Sequence, residues 1–194
     1  MTEPVAAILV GGRSRRMGAD KALVRIAGLP MVRWVAKAAD SITSRVVAVG
    51  RDNPLAGIPA IPDIPTSREG TLAGLVTALE FAAPDPVLLL AVDQPFVRSE
   101  TLNNLWKELE GTPIVPLDEQ ARQVTCAIYP GSLANDASAE LEQGGSVQSL
   151  LDRVSHEELP ADVWETWGED GRSWFSVDST EALAEGLRRY GSPG

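Results

Sequence analysis

The feature that most constrains this chain is a repeated alternation of short apolar runs with stretches of helical spacing. Val5 to Val10 is one such run, stopped by Gly11-Gly12. Val46 to Val49 and Val87 to Val92 are two more, the last ending in Asp93. A strand that is apolar on every residue must be covered on both faces, as happens in parallel sheets packed between helices. The stretches between supply those helices. Pro30 to Ser41 carries Met31, Val32, Val35, Ala38 and Ala39 at helical spacing behind a proline suited to a first turn. Leu72 to Ala83 and Ser99 to Glu110 read as the second and third helices. The alternation predicts an α/β domain with a mainly parallel sheet.

The second half carries weaker signals. Ile114-Val115 and Val124 to Tyr129 read as strands, one of them a candidate antiparallel member. Leu133 to Leu141 and Val147 to Val154 read as helices. Trp174 to Val177 reads as a last strand and Thr180 to Tyr190 as a last helix, leaving 191–194 as a tail. The prolines at 54, 59, 62 and 65 predict an extended or turning segment. At 194 residues the chain has material for one domain, spanning residues 1–190.

Charge sharpens this reading. The net charge is -10, but residues 1–50 hold eight Lys/Arg against three acids, so they are +5 and the remainder is -15. An acidic surface disfavours nucleic acid and anionic lipid, while a local basic segment is a candidate anion site. One cysteine, Cys126, and one histidine, His156, exclude an internal disulfide and a two-histidine metal site. No apolar run is long enough to span a bilayer, and the N-terminus does not read as a signal peptide. The expected setting is the cytoplasm, as a monomer or weak oligomer without membrane contact.

In open α/β sheets, ligands sit beyond the carboxyl ends of the strands, so the loops after Val10, Val49 and Val92 are the ones to inspect. The first runs Gly11-Gly12-Arg13-Ser14-Arg15-Arg16-Met17-Gly18-Ala19-Asp20-Lys21. Its glycines allow backbone N–H groups to approach an anion, and Arg16 and Lys21 add cationic donors suited to a polyphosphate. Neither the P-loop spacing nor G-x-G-x-x-G is present. Asp93, delivered by the most apolar strand, would be costly beside so much apolar surface unless paired. A hard cation such as Mg²⁺ would offset that cost; a turn aspartate before Gln94-Pro95 is the plainer alternative.

The segment Leu9-Val10-Gly11-Gly12-x-Ser14-x-Arg16-Met17-Gly18-x-Asp20-Lys21-x-Leu23 resembles the signature of nucleotidyltransferases related to molybdenum cofactor guanylyltransferase (MobA), L-A-G-G-x-x-x-R-M-G-x-D-K-x-L. Val10 replaces the usual Ala. The resemblance implies a Rossmann-like nucleotidyltransferase domain with a three-layer α/β/α arrangement. It puts Leu9, Gly11, Gly12, Arg16, Gly18 and Lys21 on the nucleotide, with Arg16 and Lys21 holding the triphosphate. It makes Asp93 the Mg²⁺ ligand, so that Arg16, Lys21 and Asp93 carry the catalysis. It gives Asp63 and the Gly70-Thr71-Leu72-Ala73-Gly74 turn a nucleotide-side role. Trp174 to Leu183 resembles a degraded F-x-N-x-N-T-P-E-D-L segment, with Ser176 and Asp178 in place of the asparagines. Asp178 is there a possible second metal ligand, or equally the start of a capping box with Glu181. Arg122-Gln123-Val124-Thr125 lacks the His-Pro found in many relatives. Trp164, Trp167 and Trp174 are candidates either for core packing or for stacking on a pterin. Cys126 reads as core and His156 as surface.

The implied reaction uses GTP as donor and a molybdopterin-type acceptor, with pyrophosphate leaving and no catalytic histidine or cysteine required. Gly11 favours guanine by analogy, because cytidylyl-transferring relatives tend to carry alanine there. The alternatives are a cytidylyltransferase, an enzyme using another small phosphate acceptor, a non-catalytic nucleotide-binding partner, or an α/β domain whose glycine loop is only a turn.

Overall fold

The computed structural model describes residues 3–11, 20–64 and 70–194. The apolar runs form strands at the expected places: β1 (Val5–Leu9), then, after the hairpin β2 (Arg25–Ile26) and β3 (Leu29–Pro30), helix α1 (Met31–Ala39) and strand β4 (Val46–Val49). Strand β5 (Ala60–Ile61), helix α2 (Thr71–Ala82), strand β6 (Val87–Ala91) and helix α3 (Ser99–Glu108) follow. The second half contains β7 (Ile114–Asp118), β8 (Ala121–Arg122), β9 (Cys126–Tyr129), α4 (Ala134–Gln143), α5 (Val147–Leu151), β10 (Glu157–Leu159), α6 (Ala161–Trp164) and α7 (Thr180–Tyr190).

Among the described residues, the main sheet runs β10-β7-β9-β6-β1-β4-β5, with β8 paired to β7. β1 lies parallel to both β4 and β6, whereas β9 is antiparallel to β6 and β7. The sheet is therefore mainly parallel and mixed. Successive strand residues face opposite sides, and the burial follows that period of two. Ala6, Ile8, Leu88, Leu90, Cys126 and Ile128 join one core with α1 and α3. Val5, Ala7, Val87, Leu89, Ala127 and Tyr129 join another with α2, α4 and α5. The result is three layers, α/β/α. Cys126 and Tyr129 are fully buried, and that burial pushes the pKa of each side chain up, so Cys126 is an inert core thiol.

Several expectations needed correction. Trp174 to Val177 is not a strand. Arg172–Trp174 is a 3₁₀ turn, and the chain then runs extended, with Val177 N–H donating to Asp93 O at 2.7 Å. The turn is tied down by Glu169, 3% exposed, which accepts from the hydroxyls of Thr101 and Ser173 at 2.5 Å each. A carboxylate so buried is retained because it is hydrogen-bonded. Trp164 and Trp174 are buried in the core with rings 5.1 Å apart, their indole N–H groups given to Leu117 O and the Asp118 carboxylate. These two do not offer faces to a ligand, and Trp167 packs partly buried against the same core. His156 is half-buried, its ring nitrogens near Val154 O and Glu158. Hydrogen bonds from Arg122 first, then His156, hold Glu158 below the usual carboxylate range. The Val147 helix ends at Leu151, three residues early.

A third, smaller cluster gathers Ile26, Met31, Trp34, Phe96 and Val177, with Phe175, Leu183 and Tyr190 packed against it. It joins the β2–β3 hairpin, the loop after β6 and helix α7. A Cβ on Gly186 of α7 would lie 2.4 Å from the Phe96 ring, so this glycine lets the helix lie directly on Phe96. Among the described residues, no helix is long and apolar enough to cross a membrane.

Candidate active site at the strand ends

Strands β1, β4 and β6 end at one level, with Leu9 opposite Val49 on one side and Ala91 on the other. The chain leaves β1 for β4, then returns to the far side of β1 as β6. This reversal opens a crevice between the ends of β1 and β6, the place where open α/β sheets bind ligands.

Lys21 and Asp93 meet across that crevice. Lys21 Nζ donates to Asp93 Oδ2 at 3.1 Å, linking the loop after β1 to the end of β6. The Lys21 side chain is 11% exposed and that of Asp93 is 30% exposed, so the pair is sheltered on the lysine side and open on the carboxylate side. Ser176 Oγ also donates to Asp93 Oδ2, at 3.0 Å. Both contacts fall on one carboxylate oxygen, so among the described residues Oδ1 is left for a further ligand. Lys21 is fixed by its surroundings: Asp20 caps the 3₁₀ turn Lys21–Leu23 by accepting from Ala22 N–H, and Ala22 is buried in the core.

A second constellation lies at the ends of β1 and β4. Gly50, directly after β4, has φ of +101°. A Cβ there would stand 2.8 Å from Gly11 Cα and 3.3 Å from Asp63 Oδ2. A Cβ on Gly11 would likewise face Asp63 Oδ2 and Gly50 Cα, each at 3.4 Å. Gly11, Gly50 and Asp63 thus form a close-packed group in which backbone and carboxylate meet. Gly50→Ala is expected to cost about 1–3 kcal/mol from the positive φ alone, and to displace Gly11, as read by chemical denaturation and by nucleotide affinity. Denaturation midpoints and affinity equal to those of the unaltered chain would contradict this packing argument.

Helix α2 lies close to the same edge. Gly74 faces Leu9, whose Cδ2 would be only 2.5 Å from an added Cβ. This brings the start of α2 near the strand ends, and Gly70 at its N-cap adopts φ of +124°. Leu9, Gly11, Lys21, Asp63, Gly70, Gly74 and Asp93 therefore all border the carboxyl edge of the sheet or the helix packed on it. Gly12, Arg16 and Gly18 lie outside the described residues. Asp178 is exposed and does not cap α7; Ser179 does, accepting from Ala182 N–H. In the C-terminal segment, Ser176 rather than Asp178 reaches Asp93.

Sequence reasoning passed over Gly50 and Arg51. Their signal was a glycine at the end of a buried strand, in a loop that the strand-end rule had already marked. Arg51 Nη2 pairs with Asp20 Oδ2 at 2.6 Å. Ser176 was visible only as a substitution in a degraded motif.

The family model described as "MobA-like NTP transferase domain" matches residues 6–159. A Bacillus licheniformis protein named probable molybdenum cofactor guanylyltransferase is 33% identical over 165 residues, covering 80% of this chain and 84% of its own. A Yersinia pestis molybdenum cofactor guanylyltransferase is 35% identical over 155 residues, covering 76% and 80%. Among solved structures, molybdopterin-guanine dinucleotide biosynthesis protein A from Archaeoglobus fulgidus superposes with a TM-score of 0.79 at 23% identity, covering 94% and 96%.

Proposed function

Because the chain belongs to the MobA-like NTP transferase family, we propose that it transfers GMP from GTP to the phosphate of a molybdopterin-type acceptor, releasing pyrophosphate. The observation that carries this reading is the Lys21–Asp93 pair, set across the crevice between β1 and β6 where a triphosphate would meet both a cation and a carboxylate. The names of the relatives support the donor and the acceptor.

The residues fit a divalent cation. Asp93 presents a partly open carboxylate with one oxygen uncommitted among the described residues, and Mg²⁺ is held typically by one or two carboxylates plus phosphate oxygens. Among the described residues, no three of His, Cys, Asp or Glu converge, so an ion there would draw the rest of its shell from water and substrate oxygens. When bound at Asp93, Mg²⁺ supplies Lewis-acid neutralisation of the phosphate charge.

The chain's own residues do the rest. Lys21 exchanges Asp93 for a phosphate oxygen of the donor, as Arg16 and the loop N–H groups gather the remaining charge. The acceptor phosphate attacks the α-phosphorus; a new P–O bond forms as the bond to the β-phosphate oxygen breaks. The attacking group is already an anion, so no general base is needed, and alignment with charge neutralisation carries the rate. Gly11, Asp63 and the Gly70 to Gly74 turn are assigned to the nucleoside side. Asp178, exposed and next to Val177, whose N–H bonds the Asp93 backbone, is a weaker candidate for the metal than Ser176 is for holding Asp93. We read residues 1–190 as one catalytic unit, because Ser176 completes the Asp93 environment from the C-terminal segment. A cytoplasmic monomer or weak oligomer fits this reading.

Donor choice is tested by thermal melting with GTP, CTP, UTP and ATP in the presence of Mg²⁺. A ligand at 100 times its Kd stabilises the folded state by about 2.7 kcal/mol. GTP is expected to raise the melting temperature most. Greater stabilisation by CTP would move the assignment to a cytidylyltransferase.

A further inference from the structure

The two residues that follow β4 hold both ends of the glycine loop. Gly50 packs against Gly11 at the loop's start, within 2.8 Å of its Cα for an added Cβ. Arg51 pairs with Asp20 at the loop's end, Nη2 to Oδ2 at 2.6 Å. The backbone beneath them is fixed, because Gly50 N–H and Arg51 N–H both donate to Ile61 O, at 3.0 and 3.2 Å. The Asp20 carboxylate uses its two oxygens differently: Oδ1 caps Ala22 N–H at 3.2 Å, and Oδ2 takes the guanidinium. Lys21 is the next residue, and its ammonium must cross to the end of β6. Ala22 anchors the middle of the turn in the core, whereas the Arg51–Asp20 pair fixes its leading end.

We propose that Arg51 is a positioning residue for Lys21: through Asp20, it fixes the turn that aims the Lys21 ammonium at the triphosphate. The inference rests on the GTP-dependent reading above and adds a residue to it. An ion pair whose partners are 33% and 28% exposed contributes little to global stability. Its consequence is local instead, since small misplacements of a positioned group are costly to the chemistry it serves.

The test is a double-mutant cycle in GTP affinity, measured by titration calorimetry with Mg²⁺ on the full chain. Arg51→Ala is expected to weaken GTP binding about tenfold while its melting temperature stays within about 3 °C of the unaltered chain. In a Lys21→Ala background the same change is expected to cost less than about twofold, because residues acting through one group are not additive. Arg51→Lys, which can still pair with Asp20, is expected to recover most of the affinity. A loss that persists undiminished in the Lys21→Ala background would overturn the inference, since Arg51 would then act independently of Lys21. Unchanged GTP affinity in Arg51→Ala would overturn it too, leaving the functional reading intact. A chain that bound no nucleoside triphosphate at all would overturn both.

Discussion

Replacing Lys21 with alanine is expected to lower kcat/KM for guanylyl transfer by about 100- to 1,000-fold, the usual range for removing one preorganised donor from developing charge. The fold should survive the change. Lys21 contributes one contact to Asp93, at 3.1 Å, and the carboxylate left behind is open enough for water to take its place. A part-exposed pair of this kind contributes about 1 kcal/mol or less to stability. Lys21→Met keeps the aliphatic stem in its sheltered position and removes only the charge, so it should fall as far as alanine. Steady-state kinetics beside thermal melting separate the two effects. Activity within about threefold of the unaltered chain, a change near 0.65 kcal/mol, would place the triphosphate elsewhere.

Asp93→Asn is expected to be the more damaging of the two. The substitution keeps the shape of the side chain and an oxygen to accept from Ser176, and the Val177 N–H bond goes to the Asp93 backbone, which is untouched. What disappears is the negative charge facing the crevice. If that charge holds the divalent cation, its loss removes several kcal/mol of transition-state stabilisation. About 4 kcal/mol corresponds to roughly 1,000-fold in rate. The Mg²⁺ concentration needed for half-maximal activity should rise as well. A variant that keeps the original Mg²⁺ dependence and a rate within threefold would assign Asp93 to a turn, the alternative its sequence context allowed.

The parts of the fold visible in the sequence were those specified by burial on both faces. β1, β4 and β6 are continuous apolar runs, and α1 and α3 carry a helical period, so their type follows from a local pattern; α2 is apolar on nearly every residue and is marked by its length instead. The parts that escaped are short or tertiary. The hairpin strands Arg25–Ile26 and Leu29–Pro30 have two residues each, joined through Ala27 and Gly28 rather than a strong turn pair. β5 lies within the proline-rich segment, and β10 is a three-residue edge strand with two glutamates. Trp174 to Val177 has the composition of a strand, but its apolar residues serve two different clusters, so the apparent alternation has no sheet behind it. The site divides the same way. Lys21 and Asp93 could be read from their places at strand ends, whereas Gly50 and Arg51 gain meaning only from what they touch: the Gly11 backbone and the Asp20 carboxylate.

Those contacts also give the acidic chain a physical logic. A net charge of -10 coexists with a basic first quarter, and that quarter supplies the loop and Lys21. Asp93 faces them from the next strand. A small polyanion bridged by a divalent cation would satisfy both sides of the crevice.

The most direct measurement is transfer of label from α-³²P GTP to molybdopterin, followed together with pyrophosphate release in the presence of Mg²⁺. The account predicts that both appear in equal amounts, depend on acceptor, and collapse in Lys21→Ala and Asp93→Asn. Tight GTP binding with neither transfer nor pyrophosphate release would contradict it, leaving a nucleotide-binding protein without the chemistry.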